Sequence, residues 1–144
     1  MKRINGVTLK AYLDQVSMHY RLDGVDSFDE AKALQNRLEI FLKICDALEY
    51  AHSRNVMHCD LKPANIMIGE YHEAYIMDWG IARPIQAGET RRTLVGTPQY
   101  LAPEAIVGDP CDQRADIFAM GAILFEMVML KNAFTGKTPE EVMT

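Results

Sequence analysis

The chain is short of nearly everything that marks a secreted, membrane-spanning or nucleic-acid-binding protein. Its three cysteines, Cys45, Cys59 and Cys111, are odd in number and lack Cys-x-x-Cys spacing. That excludes a full disulfide framework and fits a reducing, cytoplasmic compartment. Positive charge is not in excess: 15 Lys and Arg stand against 20 Asp and Glu, a net charge of −5, so no basic field draws nucleic acid or an anionic membrane. No apolar run reaches the ~18 residues of a membrane span; the longest, Ile117 to Leu130, is broken by Glu126. The start, Met-Lys-Arg-Ile-Asn-Gly, lacks the apolar core of a signal peptide. Internal repeats, low-complexity tracts and linkers are missing too. What is present is a 49% hydrophobic composition over 144 residues, enough for one soluble domain, residues 1–144, with a real core.

Taken in order, residues 1 to 6 read as the end of a strand and a turn at Asn5-Gly6. Thr8 can cap a short helix through Leu9, Tyr12, Leu13 and Val16, and polar, loop-like sequence follows to Asp26. Ser27-Phe-Asp-Glu30 has capping-box spacing and opens the longest periodic segment. There Leu34, Leu38, Phe41, Cys45, Leu48 and His52 step by four and three, the pattern of an amphipathic helix ending near Ser53 to Asn55. Ile66 to Gly69 and Ala74 to Met77, split by a charged turn at Glu70 to Glu73, predict a small β-hairpin. Ile81 to Val95 is irregular and surface-like. Ile117 to Met129 is apolar on nearly every side, which predicts a helix at the centre of a helical domain. The fold class expected is mainly α with a small β-hairpin.

The chemistry concentrates in residues 57 to 67, Met-His-Cys-Asp-Leu-Lys-Pro-Ala-Asn-Ile-Met. A carboxylate (Asp60) can accept a proton from a hydroxyl, and an ammonium (Lys62) can neutralise a phosphoryl oxygen. A carboxamide oxygen (Asn65) can ligate a hard cation. Phosphoryl transfer needs these three tools, because it is mostly positioning and electrostatic stabilisation. Each residue alone has an ordinary reading as a turn, cap or solvated charge. Asp78-Trp79-Gly80 follows the second apolar strand, and a hairpin would return Asp78 and Asn65 to one edge. Gly96-Thr-Pro-Gln-Tyr-Leu-Ala-Pro-Glu104 closes the irregular stretch.

His58-x-Asp60-x-Lys62-x-x-Asn65 resembles the catalytic loop of protein kinases, and four specified positions in eight arise by chance only on the order of once in 10⁵–10⁶ start points. Asp78-Trp79-Gly80 stands where that family has Asp-Phe-Gly, and Gly96 to Glu104 resembles the end of the activation segment in the serine/threonine branch. The resemblance implies a protein-kinase-like large lobe (C-lobe) that uses ATP and Mg2+ and acts on a protein substrate with a serine or threonine acceptor. It implies Asp60, Lys62 and Thr97 as catalytic residues and Asn65 and Asp78 as metal ligands. Lys2 carbonyl and Ile4 amide would face the adenine edge as part of the hinge, with Met67 as the floor beneath it. His58 would pack and hydrogen-bond, and Asp116 would anchor the loop's backbone. Cys59 departs from the family's usual arginine, which pairs with a phosphate on the activation loop; a thiol cannot do that, although Thr90 and Thr93 remain possible sites. The adjacent pair Arg91-Arg92 reads as solvated. Trp79 departs from phenylalanine and is larger.

The resemblance runs from the hinge to just beyond the central helix. The small lobe, with its glycine-rich loop and strand lysine, and the C-terminal helices have no counterpart in residues 1–144. Glu104 is therefore expected as a buried carboxylate without its partner, and the apolar faces as exposed surfaces for self-association. The expected function is a serine/threonine protein kinase, inactive as these residues alone. Two alternatives stay open: a non-catalytic kinase-like binding module or gene remnant, and a small-molecule phosphotransferase, against which the Gly96 to Glu104 segment argues.

Overall fold

The computed structural model describes residues 6–23, 27–84, 96–136 and 138–142. The first element is a strand, β1 (Gly6–Thr8). It leads without a break into helix α1 (Leu9–Asp23), whose first turn is capped by Thr8: its Oγ1 accepts from the Ala11 amide at 3.1 Å. Helix α2 (Ser27–Ser53) follows. Strand β2 (Val56–Met57) and a 3-10 turn (Pro63–Asn65) bracket the loop that carries Asp60. Strands β3 (Ile66–Gly69) and β4 (Ala74–Ile76) form the expected hairpin, with Ile66 opposite Ile76 and Ile68 opposite Ala74. Strand β5 (Arg83–Pro84), a second 3-10 turn (Pro98–Tyr100), and helices α3 (Pro103–Val107), α4 (Arg114–Met129) and α5 (Pro139–Val142) complete the order.

Two small antiparallel sheets result, one ordered β1-β3-β4 and the other β2-β5. The first depends on Gly6: a Cβ there would stand 2.1 Å from the Ile68 carbonyl oxygen, so only glycine lets β1 approach β3. One core serves the helices and the hairpin. It gathers Leu9 and Leu13 from α1 with Ile40, Ile44 and Leu48 from α2. Leu61, Ile66 and Ile68, and Ala119, Met120, Ile123 and Met127 from α4, close it. Ile66 and Ile68 alternate with half-buried Met67, so the hairpin turns one face to this core.

The structure corrects the sequence reading in five places. Gly6 begins a strand that extends the hairpin to three strands; it does not sit in a turn. The first helix runs through Asp23, well into the stretch read as loop. The buried stripe of α2 is Arg37, Ile40, Ile44, Leu48 and Ala51, whereas Leu38 is exposed and Phe41 and Cys45 pack only partly against the core. Both stripes have helical spacing and share Leu48. Two apolar stripes lie side by side on this helix, and contact with the hairpin and α4 selects between them. Strand β5 lies inside the stretch read as irregular, paired with β2. Finally, α4 starts at Arg114 and is not buried all round: Ile117, Phe125, Val128 and Met129 face outward. The N-terminal segment with Lys2 and Ile4, the capping-box side chains of Ser27 and Glu30, and Thr90 to Thr93 lie outside what the structure describes.

Candidate active site

The loop after β2 is held from below by one buried carboxylate. Asp116, in the first turn of α4 and 1% exposed, accepts from two consecutive backbone amides. Its Oδ2 takes the His58 N–H at 2.8 Å and its Oδ1 the Cys59 N–H at 3.0 Å. His52, near the end of α2, donates its Nε2 to the same Oδ2 at 2.8 Å. Sequence reading identified the anchor but missed His52, taking it only as the last member of an apolar stripe. Its distance from Asp116 along the chain left no local signal.

His58 is fully buried and uses both ring nitrogens structurally. Nδ1 accepts from the Asp60 amide at 3.2 Å, so Nε2 carries the hydrogen and donates to the Met77 carbonyl at 2.8 Å. That ties the loop to the segment that ends in Asp78. The Met77 amide in turn donates to the Asn65 carbonyl at 2.8 Å, so the hairpin brings Asn65 opposite the residue preceding Asp78. Trp79 rests its ring edge-on against His58 with centroids 4.7 Å apart and donates Nε1 to the Ile76 carbonyl at 2.9 Å. Phenylalanine could make the first contact but not the second.

Above this foundation Asp60, Lys62 and Thr97 close a triangle. Lys62 Nζ lies 2.8 Å from Asp60 Oδ2 and donates to Thr97 Oγ1 at 2.9 Å. The Thr97 hydroxyl donates to Asp60 Oδ1 at 3.1 Å. Asn65 adds a brace, its Nδ2 donating to the Asp60 carbonyl at 2.9 Å and to Oδ2 at 3.2 Å. With both of these bonds on the nitrogen, the carboxamide oxygen is left for another partner. Thr97 reaches the loop because Gly96, at φ 133°, turns the chain where a Cβ would sit 2.7 Å from Leu101 Cδ2. Asp60 and Lys62 side chains are 15% and 26% exposed, covered enough to hold a geometry and open enough to meet a ligand.

These contacts arise from widely separated stretches of chain, and together they carry the three motifs seen in the sequence. The family model described as protein kinase domain matches residues 7–144. The chain belongs to the protein kinase family. Among curated proteins, serine/threonine-protein kinase PknD of Chlamydia pneumoniae is 36% identical across 99% of this chain and 17% of its own length. The probable serine/threonine-protein kinase PknB of Corynebacterium glutamicum is 36% identical across 96% of this chain and 20% of its own. PknB of Mycobacterium tuberculosis is 38% identical across 73% of this chain and 17% of its own. The chain thus spans about a fifth or less of these relatives. Within it, the kinase fold is mostly helical with small antiparallel sheets.

The remaining expected residues fall as follows. Asp78 is exposed, with its backbone in the left-handed region at φ 58°. Met67 is half-buried on β3, opposite Thr8 of β1 and Tyr75 of β4. Glu104 is half-buried rather than buried, and its charge is felt by the Cys111 thiol and the Arg114 guanidinium. Tyr100 forms a further polar contact that sequence reading passed over. Its hydroxyl donates to the buried Glu126 carboxylate at 2.5 Å, and burial together with that acceptor pushes the phenol far above its ordinary value. Among the described residues no group of three or more His, Cys, Asp or Glu is placed to hold a metal, and no helix is long and apolar enough to cross a membrane.

Proposed function

We propose that this chain is the catalytic-loop portion of the large lobe of a serine/threonine protein kinase, and that with the rest of its polypeptide it transfers the γ-phosphoryl of ATP to a protein hydroxyl. The observation that carries the proposal is the closed Asp60–Lys62–Thr97 triangle. Asp60 already accepts a hydrogen bond from an aliphatic hydroxyl, that of Thr97, and a substrate serine or threonine would present the same group to the same carboxylate. Lys62, fixed between Asp60 and Thr97, sets a positive charge where negative charge develops on the transferred phosphoryl oxygens.

Asn65 and Asp78 fit a magnesium ion. Both offer hard oxygen donors at one edge of the hairpin, and the Asn65 nitrogen is committed to Asp60, which leaves its oxygen for the cation. Two protein ligands without a complete cage suit an ion that takes its other ligands from phosphate and water. When bound, the ion neutralises phosphate charge. Met67, Lys2 and Ile4 are proposed as the adenine contacts. Three free thiols support a cytoplasmic, reducing setting. Exposed Ile117, Phe125, Val128 and Met129 support association through the outer face of α4, with the same chain or with further parts of the polypeptide.

The test is transfer of radiolabelled phosphate from ATP with magnesium to a generic protein substrate. It uses the full polypeptide that carries these residues, with the 144 residues alone in parallel. Asp60→Asn in the full polypeptide is expected to lower the rate by about 10²–10⁴-fold, with little labelling by the short chain. Undiminished labelling by Asp60→Asn would refute the assignment of the base.

A further inference from the structure

A cavity of about 70 Å³ lies beneath the catalytic loop, on the side away from the hairpin. Its lining includes Cys59 from the loop, Arg83 from β5, and Asp109 and Cys111 from the connection between α3 and α4. The fold delivers these groups by three separate routes. The register of β2 and β5 sets Arg83 opposite Met57, two residues before Cys59. Asp116 grips the Cys59 amide at 3.0 Å, and Cys111 precedes Asp116 by one short stretch, so the same anchor draws the α3–α4 connection against the loop. Both thiols open onto this one cavity, and Cys111 lies near enough for its charge to act on the Cys59 thiol. Each thiol makes only a weak bond, Cys59 Sγ to the Met57 carbonyl at 3.9 Å and Cys111 Sγ to the Asp109 carbonyl at 3.5 Å. Neither is committed to a strong partner.

We propose that Cys59 and Cys111 are a dithiol pair that a peroxide converts reversibly to a disulfide, tethering the residue before Asp60 to the α3–α4 connection. The chemistry balances with hydrogen peroxide as the oxidant. The Cys111 thiolate attacks the O–O bond, forming a sulfenic acid and releasing hydroxide. The Cys59 thiolate then attacks that sulfur, forming the S–S bond and releasing the second hydroxide, so two thiols and one peroxide give a disulfide and two waters. Arg83 lines the same cavity, and its charge acts on both sulfurs as the cation that favours their thiolates. Burial opposes it and raises both thiols. Asp116 adds to that at Cys59, and Glu104, Asp112 and Asp109 at Cys111. The reaction is therefore slow at neutral pH and accelerates as pH rises. The pairing does not depend on whether Asp60 transfers phosphate.

The experiment is limited hydrogen peroxide on the native protein, alkylation of remaining thiols under denaturing conditions, and mass mapping of the peptides. The expected result is one cross-linked species joining the Cys59 and Cys111 peptides, removed by dithiothreitol, with Cys45 alkylated throughout. The same treatment in concentrated guanidinium should scatter the bridges over all three pairings. Arg83→Met should slow native pairing by several-fold while the denatured rate stays unchanged. A native distribution equal to the denatured one would overturn the proposal, as would separate over-oxidation of Cys59 and Cys111.

Discussion

Asp116→Ala tests whether one buried carboxylate holds the loop that carries Asp60 in shape. The side chain accepts three hydrogen bonds at 2.8, 2.8 and 3.0 Å. Its removal strands the His58 and Cys59 amides in a place where water has little access. An unsatisfied buried donor costs about 1–3 kcal/mol, and hydrogen bonds to a charged group are worth about 1.5–3 kcal/mol. Because the loss of the His52 bond is partly offset by rehydration, the expected destabilisation is about 4 kcal/mol, a large share of the ~5–15 kcal/mol that holds a typical domain together. Asp116→Asn keeps one oxygen for one amide and turns an NH2 toward the other donor, so about 2 kcal/mol is expected. Urea unfolding read by circular dichroism measures both. A cycle with His52→Ala should show non-additivity of about 1 kcal/mol, since both side chains share one bond. If Asp116→Ala unfolds within about 1 kcal/mol of the parent, the two amides are satisfied elsewhere and the anchor is not what shapes the loop.

Three further outcomes are expected. Ile44→Ala should cost about 2–5 kcal/mol, and Leu42→Ala should stay within about 0.5 kcal/mol, because Ile44 is fully buried and Leu42 is 63% exposed; unfolding midpoints read both, and equal effects would contradict the placement of the α2 stripe. Tyr100→Phe removes the hydroxyl that serves the buried Glu126 carboxylate and should cost about 2 kcal/mol in the same assay. Alkaline pH should destabilise the fold, because burial raises the Cys45, Cys59 and Cys111 thiols above 9.0 and the Tyr12 and Tyr100 phenols above 10.0. The unfolded chain releases these protons first, so stability is fully present below those ordinary values and declines as pH rises past them; a urea midpoint flat through pH 9 to 10 would contradict the burial of these groups.

Much of the site was legible because its residues are rare in combination. Asp60, Lys62 and Asn65 sit within six positions of one another, and their spacing says that one short loop carries a carboxylate, a cation and an amide. The hairpin was legible from two apolar runs around a charged turn, and the Thr8 cap from residue type alone. What stayed hidden depends on tertiary choice. Helix α2 offers two apolar stripes, and only packing against the hairpin and α4 decides that Ile40 and Ile44 go in while Leu38 stays out. Strand β1 pairs with β3 across most of the first half of the chain, and its signal is a glycine that reads locally as a turn. His52 and Tyr100 meet partners far along the chain, on α4. Pattern reading follows periodicity within a segment and does not see such pairings.

Among the described residues five that are not glycine have positive φ, namely Asn55, Cys59, His72, Asp78 and Leu130, and two of these stand at the candidate site. Cys59 at φ 69° and Asp78 at φ 58° are non-glycine residues in the left-handed region, each costing on the order of 1–2 kcal/mol. Each is offset by a neighbour. Asp116 grips the Cys59 amide directly, and the His58 ring holds the Met77 carbonyl immediately before Asp78. The two anchors are themselves joined, because Asp116 also binds the His58 amide. Strain at Cys59 and strain at Asp78 are thus carried by one connected set of buried polar groups, and these lie beneath the Asp60–Lys62–Thr97 triangle rather than within it. Loosening that set should disturb Asp60 and Asp78 together, even though neither side chain touches Asp116. This is why a substitution at Asp116 probes the geometry of the whole site, while one at Lys62 or Thr97 probes only the triangle above it.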